Sequence, residues 1–268
     1  MENATSSRID YDKVMEAAVT AGVILVRCGS EIKRVEDTVA RICRAFGMEV
    51  RQQIFSLSNA MMISYDNHEE DVHLSRIIEV PIDRMRINQL IEINQLSRDI
   101  AAGRYTLDEA LEKIRAVENT PDTPLLLRLL AASVASFAFG LLFQCSLLEA
   151  GIAAIGGLGA FFTAAVACRK LSKIISNLAG GMALALIALL APLLFRGGGI
   201  VLDSMKIMLG AMMPLVPGLS FMNGFRDIGN GDYLSGTVRM LDALLVGVSI
   251  ASGAAIIYKF LSLFGGIV

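Results

Sequence analysis

The chain has 268 residues, 54% of them hydrophobic and 19% charged, with no tryptophan and a mean hydropathy of +0.58, which is too apolar for an ordinary soluble domain. The charge is uneven: residues 1–124 carry 15 Lys and Arg against 21 Asp and Glu, a net −6, while residues 125–268 carry 9 against 5, a net +4. An acidic, soluble-looking part followed by an apolar part excludes a single soluble enzyme, a secreted disulfide scaffold and a basic nucleic-acid binder.

The first ten residues are polar and acidic and lack the basic and apolar regions of a cleaved signal peptide, so the N-terminal domain is expected in the cytosol. From Tyr11 to Val26 apolar residues recur at steps of three and four, which predicts a helix, interrupted at Gly29-Ser30. Ser30 is expected to cap a second helix with the stripe Val35, Thr38, Val39, Ile42 and Phe46, ended by Gly47. Three strand-like runs follow, Met48 to Ser56, Asn59 to Tyr65 and Val72 to Val80, with Asp66 to Glu69 as the turn between the last two. Asp83 is expected to cap a third helix that Gly103 ends, and Thr106-Leu-Asp-Glu109 is a capping box for a fourth. Residues 1–120 thus read as a small α+β domain, joined by a linker at 121–124 to an α-helical membrane domain at 125–268.

Catalytic and metal chemistry find little footing in this domain. His68 and His73 have no partner cysteine and no helical HExxH context. GxSxG, P-loop and GxGxxG patterns are missing, and Gly156-Gly157-Leu158-Gly159 lies in the apolar half. Cys28, Cys43, Cys145 and Cys168 form no CxxC pair and read as reduced packing residues. Arg34-Val35-Glu36 is a charge cluster most simply read as structural. No catalytic residue, metal ligand or cofactor is therefore assigned.

Five stretches beyond Leu125 are long enough to cross a bilayer: about Leu125 to Leu148, Ala150 to Cys168, Asn177 to Phe195, Ile200 to Leu219 and Thr237 to Phe260. Arg169, Lys170, Lys173, Arg226 and Arg239 mark the inner side, against Arg196 and Lys259 on the other. The positive-inside rule then puts the N-terminal domain in the cytoplasm and the C-terminus outside a cell (inner) membrane. Runs such as Ala150 to Gly159 and the series Gly247, Ala251, Ala255 predict close helix packing in a bundle or a homo-oligomer.

The polar residues of the last two spans carry the functional reading. Asp203, Lys206, Gly210, Met213 and Pro217 share a face of the fourth span, and a charge at mid-bilayer costs roughly 2.5–3.5 kcal/mol on insertion scales, which makes it a pathway candidate by default. Snorkelling of Lys206 toward the interface is the alternative. Asp232, Ser235, Arg239, Asp242, Ser249 and Gly253 form a second stripe, read either as a transport lining or as an Arg239–Asp242 salt bridge inside the bundle. Pro214, Pro217 and Gly218 predict a break near the inner end of the fourth span. Unwound backbone there would bring together the amide of Asn223, the guanidinium of Arg226 and the carboxylate of Asp227, a set suited to a zwitterion or a carboxylate.

The series Pro214-Leu-Val-Pro-Gly-Leu219, Asn223, Arg226-Asp227, Gly231-Asp232, Ser235-Gly236 and Arg239 resembles the signature of the threonine/serine exporter family of secondary transporters. Ala21-Gly22, Arg34-Val35-Glu36, Val80 to Arg86 and Thr106 to Ile114 are similar to that family's N-terminal domain. With five spans, the chain resembles the large subunit of a split system, which implies a second, small integral membrane subunit. The resemblance further implies export of a small-molecule substrate, threonine- or serine-type amino acids or a succinate-type dicarboxylate, coupled to protons through Asp227 or Asp242, with no role for nucleic acid. The alternatives are a membrane-tethered hydrolase-like protein or a regulatory subunit whose activity resides in the N-terminal domain.

Overall fold

The computed structural model describes residues 9–48, 53–67, 71–80, 86–167, 171–195 and 201–263. They form two compact units, Met1–Pro121 with Met222–Met240, and Asp122–Phe221 with Leu241–Val268.

The first unit opens with α1 (Tyr11–Arg27) and α2 (Ile32–Ala45), then a three-stranded antiparallel meander of β1 (Ile54–Ser56), β2 (Ala60–Asn67) and β3 (Val72–Glu79), then α3 (Ile87–Ala101) and α4 (Leu107–Glu118). Helix α1 packs on α2, α3, α4 and β2. That central position explains why Val14, Met15, Ala17, Ala18, Ala21, Ile24 and Leu25, spread over about half of its circumference at 100° per residue, are buried. Met61, Ile63 and Tyr65 of β2 close the core, and the rings of Tyr11 and Tyr65 stack with centroids 5.2 Å apart. Gly22 lies where α1 meets the sheet, and a Cβ there would sit 2.6 Å from Sδ of Met61. The register pairs Phe55 with Met62 and Met62 with Ile77, an apolar row on the opposite, exposed face. Two capping predictions hold: Gly47 and Gly103 have φ of +80° and +71°, and Thr106 and Glu109 form the reciprocal capping box of α4.

The second unit contains α5 (Leu125–Leu142), α6 (Leu147–Ala167), α7 (Lys173–Phe195), α8 (Ser204–Met212) and the greater part of α10 (Tyr233–Leu263). Between α8 and α10 the chain forms a 3₁₀ turn (Met213–Leu215) and α9 (Gly218–Gly229). Helices α5, α6, α7 and α10 are long and apolar enough to cross a membrane, and the interrupted α8–α9 pair is a fifth candidate. Small residues set the packing distances. A Cβ on Gly210 would lie 2.9 Å from Cα of Gly140, and Cβ atoms on Gly181 and Gly253 would run into the carbonyls of Ile250 and Leu178.

Some local expectations differ from the structure. Within the first strand-like run β1 takes Ile54–Ser56 and Met48 packs into the core, while residues 49–52 lie outside the described residues. The N-cap of α2 is Glu31 rather than Ser30, and Glu31 makes no side-chain capping bond of its own. The reason lies in residues far along the chain. Asp83, His68, Cys168, Arg169, Lys170 and Arg196 lie outside the described residues.

The close α7–α10 packing predicts that Gly181→Val or Gly253→Val lowers the thermal midpoint in detergent sharply, by at least the roughly 1–3 kcal/mol typical of overpacking. Gly151→Ala, at a position with open space around it, is expected to leave the midpoint nearly unchanged.

Candidate functional site

The site is assembled from the bottom up by three chain breakers. Pro214 sits in the first turn of the 3₁₀ segment, and Val216 is extended, so α8 cannot continue. The carbonyl of Pro217 accepts from Phe221 N, so a new helix starts directly after it. Gly231, with φ of +94°, then turns the chain into α10. Helices α9 and α10 cross at two glycines: a Cβ on Gly236 would be 2.6 Å from the carbonyl oxygen of Gly224. Asn223, Arg226 and Asp227 therefore stand on a regular helix, where an unwound segment was expected.

These residues grip the turn between α1 and α2. Asp227 is fully buried, and its Oδ1 accepts from the backbone N of Ile32 at 3.0 Å, which caps α2 from 195 residues away. On the other side of the turn, the Gly29 carbonyl accepts from Nδ2 of Asn223 at 2.9 Å and from Nη1 of Arg239 at 3.1 Å. An anion thus meets a helix N-terminus and a cation the carbonyl just past a helix C-terminus, both favourable to the backbone dipoles. The same Arg239 Nη1 lies 3.3 Å from Oδ2 of Asp227, and its Nε donates to Ser58 Oγ, whose hydroxyl donates to the Ser235 carbonyl. Arg226 and Asn230 hold the two carboxylate oxygens of Glu31 at 3.3 and 2.7 Å.

Glu36, one turn into α2, accepts from Ser56 N. Partial burial pushes its carboxyl above the ordinary 4.5, helped by the nearby charges of Asp232 and Asp37 and opposed by the Ser56 hydrogen bond. His73 lies 2.8 Å from Asp66 at the exposed end of the hairpin. No group of three or more metal-ligating side chains occurs among the described residues.

The other pathway candidates lie apart from this cluster. Asp203 caps α8 through the N–H groups of Met205 and Lys206. Pro214, Pro217 and Gly218 form the break itself. Asp242 pairs with Lys173 at 2.6 Å, so the Arg239–Asp242 bridge, one of the two readings of this stripe, gives way to Arg239–Asp227 and Lys173–Asp242. Residues three apart share a helix face and could pair, but here each finds its partner on another element.

Sequence reasoning missed several members. Glu31, Asn230 and Ser58 carry no motif, and only the fold brings them to Arg226 and Arg239. Glu149 is different, because Ser146 and Glu149 make a capping box at the start of α6 that the spacing of the two residues announces. Its second oxygen accepts from Asp203 N at 2.7 Å and ties α6 to the start of α8.

Removing Asp227 strands a buried guanidinium and uncaps α2, so Asp227→Ala is expected to destabilise the protein by about 3–5 kcal/mol. The double variant Asp227→Ala/Arg239→Met should recover part of that loss, which paired thermal unfolding measurements check. Glu36 provides a pH test. A carboxyl raised in the folded state favours folding below its unfolded pKa, and that contribution is lost as pH rises through the folded value. Glu36→Gln is therefore expected to raise stability at neutral pH and to remove the part of the gain seen on acidification toward 4.5, measured as thermal midpoint against pH.

The family model described as "Putative threonine/serine exporter" (ThrE) matches residues 16–261. No curated protein and no solved structure matches the chain. The match runs from α1 through the break, the clamp residues and nearly all of α10, and with helices long and apolar enough to span a bilayer it makes this a membrane protein of a transporter family: the chain belongs to the threonine/serine exporter family.

Proposed function

We propose that the protein is a subunit of a proton-coupled secondary exporter of small polar metabolites, threonine/serine-type amino acids or succinate-type dicarboxylates, that works with a second, small membrane subunit. The observation that carries this reading is the family match across both halves of the chain. In this reading the protein lies in the cell (inner) membrane with residues 1–120 in the cytoplasm and the C-terminus outside. The distribution of Lys and Arg supports that orientation.

The clamp geometry divides the roles among the candidate residues. Asp227 and Arg239 are buried and committed to backbone groups, which suits positioning residues. The Arg226 side chain is 56% exposed, although it holds Glu31, so it is free to exchange that carboxylate for one on a substrate. Asp242 is the coupling carboxylate in this scheme. Its pair with Lys173 is half-exposed, and protonation of Asp242 would release that lysine. Asp203, Lys206 and Glu149 then stand at the far end of the pathway, on and beside the first half of the broken helix.

Efflux from proteoliposomes loaded with labelled serine, threonine or succinate, with an imposed proton gradient, tests the reading. Gradient-dependent efflux is expected only when this chain and its small partner are both present. Asp242→Asn is expected to abolish the gradient dependence with the thermal midpoint retained. Absence of efflux for all three substrates in the complete system would overturn the proposal.

A further inference from the structure

The first unit contains a cleft of about 520 Å³ between α2 and the outer face of α3, whose lining shares only Glu31 with the residues given a role above. Its size falls inside the roughly 300–1,000 Å³ of small-molecule sites. Lys33, Arg34, Arg41 and Arg98 line it, with Leu90 and Ile91 as an apolar wall. Among the described residues none of these four cations forms an ion pair. Of the two carboxylates in the lining, Glu31 is held by Arg226 and Asn230, which leaves Asp37 as the remaining negative charge. This concentration of positive charge is local, because residues 1–124 as a whole carry a net −6.

Two of the guanidinium groups are held in place. Arg41 Nη1 donates to Oγ of Ser97, which is fully buried and itself donates to the Asn94 carbonyl. Arg98 Nη2 donates to Oε1 of Gln95 at 2.8 Å. Each hydrogen bond uses one N–H of a five-donor group, and the remaining donors stay available to a ligand. Pre-ordered guanidinium forks beside a lysine suit a compact, multiply charged anion, and phosphate oxygens match that donor set. A dicarboxylate of succinate size would fill only part of the volume and would leave the wall of Leu90 and Ile91 unused.

We propose that this cleft binds an organic phosphate of about mononucleotide size, its phosphates on Lys33, Arg34, Arg41 and Arg98 and its organic body against Leu90 and Ile91. Glu31 lines the cleft and also holds Arg226 and Asn230 of α9, so an anion bound beside it acts on the same side chain that the clamp uses. The site is accordingly an effector site, and the ligand leaves chemically unchanged. The binding claim stands independently of the export reading; the effector role rests on it.

The test is isothermal titration of the purified full-length chain in detergent with ADP, pyrophosphate and succinate at fixed ionic strength. Saturable ADP binding is expected, tighter than that of pyrophosphate because of the apolar wall, with succinate weakest. Arg34→Gln/Arg98→Gln, at two exposed positions that leave the core intact, is expected to weaken ADP binding by at least about tenfold. Lys113→Gln, which removes a positive charge on α4 outside the cleft lining, is expected to leave it unaltered. ADP should be recovered intact after prolonged incubation. The proposal is overturned if ADP does not bind, if the double variant binds as well as the parent, if pyrophosphate or succinate binds as tightly as ADP, or if ADP is hydrolysed.

Discussion

The turn between α1 and α2 is the constraint on which the arrangement of the first unit depends. Two helices ending against each other leave backbone carbonyls on one side and N–H groups on the other, and the turn's own side chains satisfy neither. The Ser30 hydroxyl has no hydrogen-bond partner among the described residues, and the Glu31 side chain points to α9. The missing partners come from Asn223, Asp227 and Arg239, which supply two donors to Gly29 and one acceptor to Ile32. Because those partners lie about 200 residues away, residues 222–240 belong to the same compact unit as the N-terminal segment. Burial strengthens the effect, since a buried Asp227 and Arg239 without each other would each be an uncompensated charge.

The apolar unit is organised by a different rule. Lipid and leucine are equally apolar, so helix association there cannot rely on removing side chains from water and depends on close contact between backbones. Glycines at 140, 181, 210 and 253 stand where a single methyl group would meet a neighbouring backbone. Gly224 and Gly236 serve the same purpose in the α9–α10 hairpin, and this close crossing is what allows Asn223, Asp227 and Arg239 to converge on one turn. A chain breaker and a small residue thus act in sequence: Pro214 and Pro217 end one helix, and Gly224 sets the separation at which the next one packs.

Much of the local structure was legible because it depends on short-range patterns. The periodicity of Tyr11 to Val26 reports a helix because Asp12, Lys13, Glu16 and Thr20 keep one side of it polar while the rest is buried, and Gly47 and Gly103 end helices because the backbone there needs a positive φ that glycine adopts without penalty. The capping box of α4 needs only two residues three apart. Pairing of charges was not legible in the same way. Arg239 and Asp242 are close in sequence and were natural partners on paper, yet one faces Asp227 and the other Lys173. Periodicity gives the face of a helix on which a charge lies and is silent on what the opposing element presents.

The sequence by itself determined the division into an acidic half and an apolar half, the number of candidate spans, the break at Pro214 to Gly218 and the family to which the chain belongs. Each of these is written in composition, in spacing, or in the order of a few polar and breaking residues. Only the tertiary structure decided that Asn223, Asp227 and Arg239 cap a turn of the first unit, that Glu31 joins them, and that Lys33, Arg34, Arg41 and Arg98 surround one cleft. The physical reason is that hydrogen bonds and ion pairs depend on distances of about 3 Å between atoms, and contacts over some 200 residues of separation are set by how the helices pack.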